Sequence, residues 1–244
     1  MLFRSRRQIE AIKRQVPIAE HPLRFDAAWE GALVEQWLSA WNNELVSQPR
    51  PPAGAKVIVS GDHGIRPGRQ SAALIAYTLT PAPMFWLLGE VCCDPSNLKA
   101  TTPREDAQNI KTMLEQNGLS WEHVDFWSFD RAADSHRQDV RKDNKRLRNE
   151  LAAVYGVEQD RFPRIDVPHK SAGSFITGFS ALNLIFSNRQ IVVSPRCVGF
   201  IRSCQRWNGD KRSPLKDILD GVRYGIETAS RVVPLSVVVQ QKMR

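Results

Sequence analysis

The chain has 244 residues, of which 42% are hydrophobic and 25% charged, which is typical of one large globular domain or of a domain with an appended arm. No apolar stretch approaches the roughly 20 residues of a membrane-spanning helix, and the N-terminal residues lack the apolar run of a signal peptide, so we expect no membrane association. The formal net charge of +8 and the pI near 9.6 favour a polyanionic partner, of which nucleic acid is the first candidate.

Residues 1–50 are predicted to form a helical N-terminal arm or linker. Trp29, Leu33, Trp37 and Trp41 recur every four residues, as on one face of an amphipathic helix. Such a face packs against its own chain or docks onto another domain, and the sequence leaves both open. The segment 48–55 is rich in proline and glycine and marks a domain boundary, so residues 51–244 are expected to form the main domain.

From residue 56 the pattern changes to short β-branched and apolar runs, which predict strands over 57–60, 71–79 and 84–93. Residues 102–105 form a capping box with proline at the first helical position, and the helix that they begin is expected to end at Gly118. A fourth strand over 123–129 leads to Asp130. Further helices are predicted within 131–155, 174–186, 197–206 and 213–231, and short strands over 190–195 and 234–240. This order indicates an α/β fold with a mixed β-sheet flanked by helices.

The glycine-containing turn after the first strand, GDHGIRPGR, has three interpretations. A phosphate-binding P-loop requires GxxxxGK[ST], and these 244 residues contain no such motif, which excludes a P-loop ATPase within them. A simple hairpin turn remains open. The third interpretation is a metal site, because Asp62 follows an apolar strand, where a carboxylate needs a cationic partner.

Other carboxylates can complete such a site. Asp130 ends another apolar strand, and Asp217 and Asp220 lie three residues apart on one face of a predicted helix. An oxygen-rich site of this kind suits Mg²⁺ or Mn²⁺, and two ions about 3.5–4 Å apart can catalyse phosphodiester cleavage. Each acid also has a structural alternative: Asp62 as a turn former, Asp130 as a helix cap, and the helical pair as acids favoured by the helix dipole. The residues alone leave these alternatives open.

The order Asp62, Asp130 and the Asp-x-x-Asp-x-x-Arg-Tyr helix of residues 217–224 resembles the nuclease domain of tailed-phage terminase large subunits, which are RNase H-like nucleases. The segment HKSAGSFITGFSALNLIFSNRQIVVSPRC and Trp207 are similar to the C-terminal half of that domain, and the likeness spans roughly residues 55–230. It implies an RNase H-like mixed β-sheet flanked by helices over residues 51–244. By the same resemblance, Asp62, Asp130 and Asp220 take the places of the catalytic, metal-binding acids, and Asp217 that of a further ligand.

The resemblance also implies an activity and partners. It implies an endonuclease that uses two Mg²⁺ or Mn²⁺ ions, with Asp62 between them, to cut double-stranded DNA with low sequence specificity during phage genome packaging. The implied partners are a packaging ATPase, a terminase small subunit and a portal, in the cytoplasm of the infected bacterial host. The chain departs from the family in having Gly221 where members commonly have alanine, and in lacking a Walker motif. It is therefore expected to be either an excised nuclease domain or a chain that works with a separate motor.

Basic residues near the acids are candidate DNA contacts, which would be independent of sequence and sensitive to salt. They are Arg66 and Arg69 in the opening turn, Lys142 and Lys145 in the basic run 131–148, and Lys170. A solvated helix face is the alternative for the basic run. Glu90 is a weaker candidate for an additional metal-binding acid, and His63 is a weaker candidate for orienting water or substrate. Two other functions stay open: an RNase H-like nuclease of the transposase or resolvase type, and a non-catalytic DNA-binding or docking module of a packaging complex.

Overall fold

The computed structural model describes residues 37–64, 69–92, 101–130, 144–168 and 174–232. This part of the chain contains six strands and five α-helices. Their bounds are β1 Lys56–Asp62, β2 Ser71–Thr78, β3 Met84–Cys92, α1 Pro103–Glu115, β4 Phe126–Phe129, α2 Asn144–Tyr155, β5 Ile165–Asp166, α3 Ser174–Ser187, β6 Ile191–Val193, α4 Val198–Arg206 and α5 Leu215–Val232.

The six strands form one mixed sheet in the order β5-β4-β1-β2-β3-β6. The neighbours β1, β2 and β3 are antiparallel, whereas β4 runs parallel to β1, β5 to β4, and β6 to β3. The predicted mixed sheet flanked by helices is confirmed. Strand β5 was not predicted, because its two residues are too few to carry an alternating pattern.

Helices cover both faces of the sheet, which explains why β1 and β2 are almost continuously apolar. Successive side chains of a strand point to opposite faces. Val57 and Val59 of β1 therefore pack with the apolar residues of α1 and α2, and Ile58 packs with those of α3, α4 and α5. The candidate site lies on the face of the sheet that α5 covers.

The predicted start of α1 is confirmed in detail. The Thr102 hydroxyl accepts a hydrogen bond from the Glu105 amide at 3.2 Å, and the Glu105 carboxylate accepts one from the Thr102 amide at 2.7 Å. Pro103 occupies the first turn. The helix ends at Glu115, and Gly118 beyond it adopts a φ of 69°, a left-handed conformation that glycine adopts without strain.

Residues 37–47 pack against the sheet and its helices. The Trp37 ring lies 5.6 Å from the Trp207 ring, centroid to centroid, Leu38 is fully buried, and the Ser47 amide donates to the Val193 carbonyl at 3.0 Å. These residues form turns and a short 3-10 helix, Asn43–Leu45, instead of the α-helix that the periodicity predicted. Residues 1–36 lie outside the described part, so the arm over 1–50 and its boundary stay a prediction.

Of the helix predicted within 131–155, residues 144–155 form α2 and residues 131–143 lie outside the described part. The strand predicted over 234–240 also lies outside it. Among the residues that the structure describes, no helix is long and apolar enough to span a membrane.

Candidate metal centre

Asp62 and Asp130 lie side by side at the ends of two adjacent parallel strands. In the register of β1 and β4, Gly61 is opposite Phe129, and the Asp130 amide donates to the Gly61 carbonyl at 3.0 Å. Side chains alternate along each strand, so residues 60 and 62 of β1 share the face covered by α5 with residue 128 of β4 and residue 130 just after it. The sheet topology thus brings together two acids from distant parts of the chain.

Helix α5 carries the other two acids, Asp217 and Asp220, onto these strand ends. The Ser60 hydroxyl donates to the Gly221 carbonyl at 2.8 Å, and the Ser71 hydroxyl donates to the Asp217 carbonyl at 2.8 Å. A Cβ added at Gly225 would lie 2.5 Å from Ser60 Oγ, so only a residue without a side chain permits this close approach. We call Asp62, Asp130, Asp217 and Asp220 the acidic cluster.

Two cations of α5 contact Asp220, which is 2% exposed. The Lys216 ammonium forms an ion pair with Oδ2, and the Arg223 guanidinium donates to Oδ1 at 2.8 and 3.1 Å. Arg223 also donates to Glu227 at 2.8 Å and lies 4.5 Å from the centroid of the Tyr224 ring. The Asp220 carboxylate is therefore held in a defined orientation.

Asp217 is paired with Arg69, from the loop that leads into β2. The guanidinium contacts both carboxylate oxygens, with a distance of 3.0 Å from Nη2 to Oδ1. It also donates to the carbonyls of Arg212 at 2.7 Å and Ser213 at 3.1 Å. Arg69 was a predicted DNA contact, and in this structure its donors are used to fix the start of α5 against the sheet.

Asp130 and Asp62 each accept a hydrogen bond from an uncharged group. The buried Tyr224 hydroxyl donates to Asp130 Oδ2 at 3.2 Å, and the Gly64 amide donates to Asp62 Oδ1 at 3.0 Å. Tyr224 and Asp220 belong to the same helix, so one turn of α5 supports the acid on β4 as well as its own.

The four acids act on one another electrostatically. Burial raises the pKa of Asp62, the Gly64 hydrogen bond opposes that rise, and the charges of Asp130 and Asp220 add to it. Burial also raises the pKa of Asp217 to about 6, against the opposing effect of Arg69. A cation between the acids would relieve both burial and repulsion, and carboxylate oxygens are the ligands that Mg²⁺ and Mn²⁺ prefer. The acidic cluster therefore fits a divalent cation by its chemistry, although within the described ranges no three acidic, histidine or cysteine side chains enclose one point as they stand.

Of the other predicted site residues, Arg66, Lys142 and Lys170 lie outside the described part of the chain. Lys145 is exposed near the start of α2, next to Asn144. The Asn144 side chain lies 2.6 Å from His63 Nε2 and donates to the Phe129 carbonyl at 3.1 Å. This contact places the start of α2 close to the ends of β1 and β4.

The two weaker site candidates, His63 and Glu90, have structural partners. His63 is 3% exposed and its ring lies 5.5 Å from the Phe129 ring, centroid to centroid. The Glu90 carboxylate accepts hydrogen bonds from the amides of Gly199 at 2.6 Å and Phe200 at 2.8 Å. Glu90 thus satisfies the free amides at the start of α4.

Lys216 was not predicted as a partner of the acids, and no contact was predicted for Arg223 or Tyr224. The signal for Lys216 was available, because Lys216 and Asp220 are four residues apart on one helix and can form an ion pair there. No local signal pairs Tyr224 with Asp130 or Arg69 with Asp217, since these contacts join distant parts of the chain.

No protein-family model and no curated protein matches the sequence, but solved structures match the fold. The large terminase of a thermophilic bacteriophage aligns with a TM-score of 0.56 and 14% identity, over 93% of this chain and 53% of that one. The nuclease domain of the P22 large terminase aligns with a TM-score of 0.53 and 16% identity, over 79% of this chain and 91% of that one. The SPP1 large terminase nuclease domain with bound Mn aligns with a TM-score of 0.45 and 14% identity, over 75% and 95%.

This chain spans about half the length of the thermophilic phage's large terminase and matches nearly all of the P22 nuclease domain. Its six strands form one mixed sheet with helices on both faces. The chain therefore has the RNase H-like fold of the nuclease domains of phage large terminases.

Proposed function

We propose that the chain is a metal-dependent endonuclease that cleaves double-stranded DNA with low sequence specificity during phage genome packaging, in the cytoplasm of the infected bacterial host. The observation that supports this proposal is the meeting of Asp62, Asp130 and Asp220 at the ends of β1 and β4 and on α5. The fold that carries these acids is that of the large terminase nuclease domains. Several carboxylates close together in a buried region repel one another and destabilise the fold. A bound cation offsets that repulsion and explains why the acids lie together.

The side chains have separate tasks in this proposal. Asp62, Asp130 and Asp220 would hold two Mg²⁺ or Mn²⁺ ions, with Asp217 assisting. When bound, such ions make a water molecule more acidic and offset the charge that develops on the phosphate during hydrolysis. Arg223 orients Asp220, and Tyr224 orients Asp130. The hydrogen bonds of Ser60 and Ser71 to α5 hold the two halves of the acidic cluster together.

DNA would be held mainly through its phosphates. The net charge of +8 supports this, and we propose Arg66, Lys142, Lys145 and Lys170 as phosphate contacts, with Arg69 contributing through the position it gives to Asp217. Contacts of this type do not depend on base sequence and weaken as the salt concentration rises. No base-reading element is recognisable in the sequence, which agrees with low specificity.

We also propose a motor as a partner of this nuclease during packaging. The thermophilic phage's large terminase was solved with ADP and with ATP-gamma-S, and this chain covers about half of it. We propose that the nuclease works with a packaging ATPase, on the same full-length chain or on a separate one, and with a terminase small subunit and a portal.

Cleavage of supercoiled plasmid tests the proposal. The purified chain is incubated with Mg²⁺ or Mn²⁺ and, as a control, with EDTA. We expect metal-dependent nicking and linearisation that is lost in Asp62→Asn and kept in Asp160→Asn, a matched charge change at an exposed loop residue. Cleavage that survives Asp62→Asn would contradict the site, and strand joining or a preference for branched DNA would indicate the transposase or resolvase type. DNA binding without cleavage in either metal would favour the non-catalytic module.

A further inference from the structure

The acidic cluster contains a cation that belongs to the chain itself. The Lys216 ammonium pairs with Asp220 Oδ2, and the Lys216 side chain is only 16% exposed. Its charge also acts on the neighbouring acids, because it lowers the pKa of Asp62 and of Asp217, against the larger effect of burial. One ammonium group therefore compensates charge on three acids of the cluster.

Lys216 differs from the other two cations of the site in how it is held. Arg69 is tied to the carbonyls of Arg212 and Ser213 as well as to Asp217. Arg223 is buried and donates to Asp220 and Glu227 together, and Gly178 of α3 leaves the space for its side chain. Both guanidinium groups are thus fixed by several partners. Lys216 reaches Asp220 on a flexible stem of four carbons.

The two oxygens of Asp220 are consequently unequal. Oδ1 accepts both hydrogen bonds from Arg223, and this contact stays in place if Lys216 moves. Oδ2 is covered by Lys216, whose charge also acts on Asp62. A carboxylate oxygen that is oriented by a fixed partner and covered by a movable one is suited to exchange a lysine for a metal ion.

We propose that Lys216 is an internal counter-ion that holds the acidic cluster together without metal and gives up Asp220 Oδ2 when a divalent cation binds. The proposal rests on the proposed function, since it concerns the same site. Lys216 stabilises the metal-free fold by offsetting repulsion between buried carboxylates, and it lowers metal affinity because an ion pair has to be broken during binding. It is a positioning residue that sets the concentration of metal ion needed to fill the site.

The test measures metal binding without DNA. Free Mn²⁺ is followed by electron paramagnetic resonance in titrations of the wild type, Lys216→Met, Lys216→Arg and Lys111→Met. Lys111 is the matched control, because it pairs with an acid four residues later on α1, Lys111 Nζ to Glu115 Oε1 at 3.8 Å. We expect Lys216→Met to bind Mn²⁺ about tenfold more tightly or better, since no ion pair is broken, and to melt at a lower temperature than the wild type in EDTA. Lys216→Arg and Lys111→Met should keep wild-type affinity within about threefold.

The outcomes separate this inference from the proposed function. Wild-type Mn²⁺ binding that is unchanged or weakened in Lys216→Met overturns the inference and leaves the nuclease standing. A wild type that binds no Mn²⁺ at millimolar concentration overturns both. If Lys216→Met does not fold, Lys216→Gln, which keeps a donor for Asp220 but no charge, is expected to show the same gain in affinity, and its failure to do so counts against the inference equally.

Discussion

Replacing Gly225 with alanine tests whether the acidic cluster depends on the close approach of α5 to the sheet. The added Cβ would lie 2.5 Å from Ser60 Oγ and 2.7 Å from Ile75 Cδ1, and both distances are shorter than van der Waals contact allows. Ser60 can move away only by losing its 2.8 Å hydrogen bond to the Gly221 carbonyl. Either Ser60 and Ile75 change conformation or α5 lifts from the sheet.

The expected loss follows from these contacts. Overpacking costs about 1–3 kcal/mol, and the lost hydrogen bond about 1 kcal/mol. Alanine in a helix interior returns about 1 kcal/mol relative to glycine. We therefore expect Gly225→Ala to lower the free energy of unfolding by about 1–3 kcal/mol, and to weaken DNA cleavage because Asp217 and Asp220 are carried by the same helix.

Gly221→Ala is the matched control, one turn earlier on the same face of α5. A Cβ at residue 221 would meet Gly61 Cα at 3.5 Å as its nearest atom, which is an ordinary contact. This variant should keep the gain in helix propensity and be as stable as the wild type or more stable by up to about 1 kcal/mol. Urea unfolding followed by circular dichroism in EDTA gives both values. Equal stability of the two variants would refute the argument that Gly225 is required by close packing.

Three further predictions concern the acids and their partners. Without metal, the free energy of unfolding should fall by about 3 kcal/mol as the pH rises from about 4 to about 7, because burial raises the pKa of Asp217 from 3.8 to about 6. The folded state binds the Asp217 proton more tightly than the unfolded state, so the stabilisation by that proton is present below pH 3.8 and lost as the pH passes 6. Urea unfolding across pH should show a smaller fall in the free energy of unfolding for Asp217→Asn, and an equal fall in that variant would contradict the prediction. Arg69→Met should lower the free energy of unfolding by about 2–4 kcal/mol and raise the pKa of Asp217 further, measured by the same titration, with a wild-type curve as the contrary result. Tyr224→Phe should cost about 1 kcal/mol through the lost hydrogen bond to Asp130 and weaken Mn²⁺ binding, and unchanged values of both would show that Tyr224 does not support the site.

Much of the local structure could be predicted because it is encoded in short patterns. The apolar runs of β1 and β2 and the amphipathic repeat of α5 report how much of each element is buried. The capping box at Thr102 reports a helix start through two hydrogen bonds that form within four residues. The spacing of Asp217 and Asp220 places both on one helical face for the same reason. Where the pattern was too short, as in β5, or where packing against Phe175 and Trp207 decided the conformation, as in residues 37–46, periodicity did not predict the structure.

The sequence by itself determined which residues could carry the chemistry: acids that follow apolar strands, a helix with two acids and an Arg-Tyr pair, and an excess of positive charge. Only the tertiary structure decided how they meet. The parallel pairing of β1 with β4 joins Asp62 to Asp130, and the absence of a side chain at Gly225 lets α5 come close enough to add Asp220. Contacts between residues far apart in the chain depend on sheet order, register and packing distance, which no local pattern records, and so the assignment of Arg69 to Asp217 and of Tyr224 to Asp130 had to come from the fold.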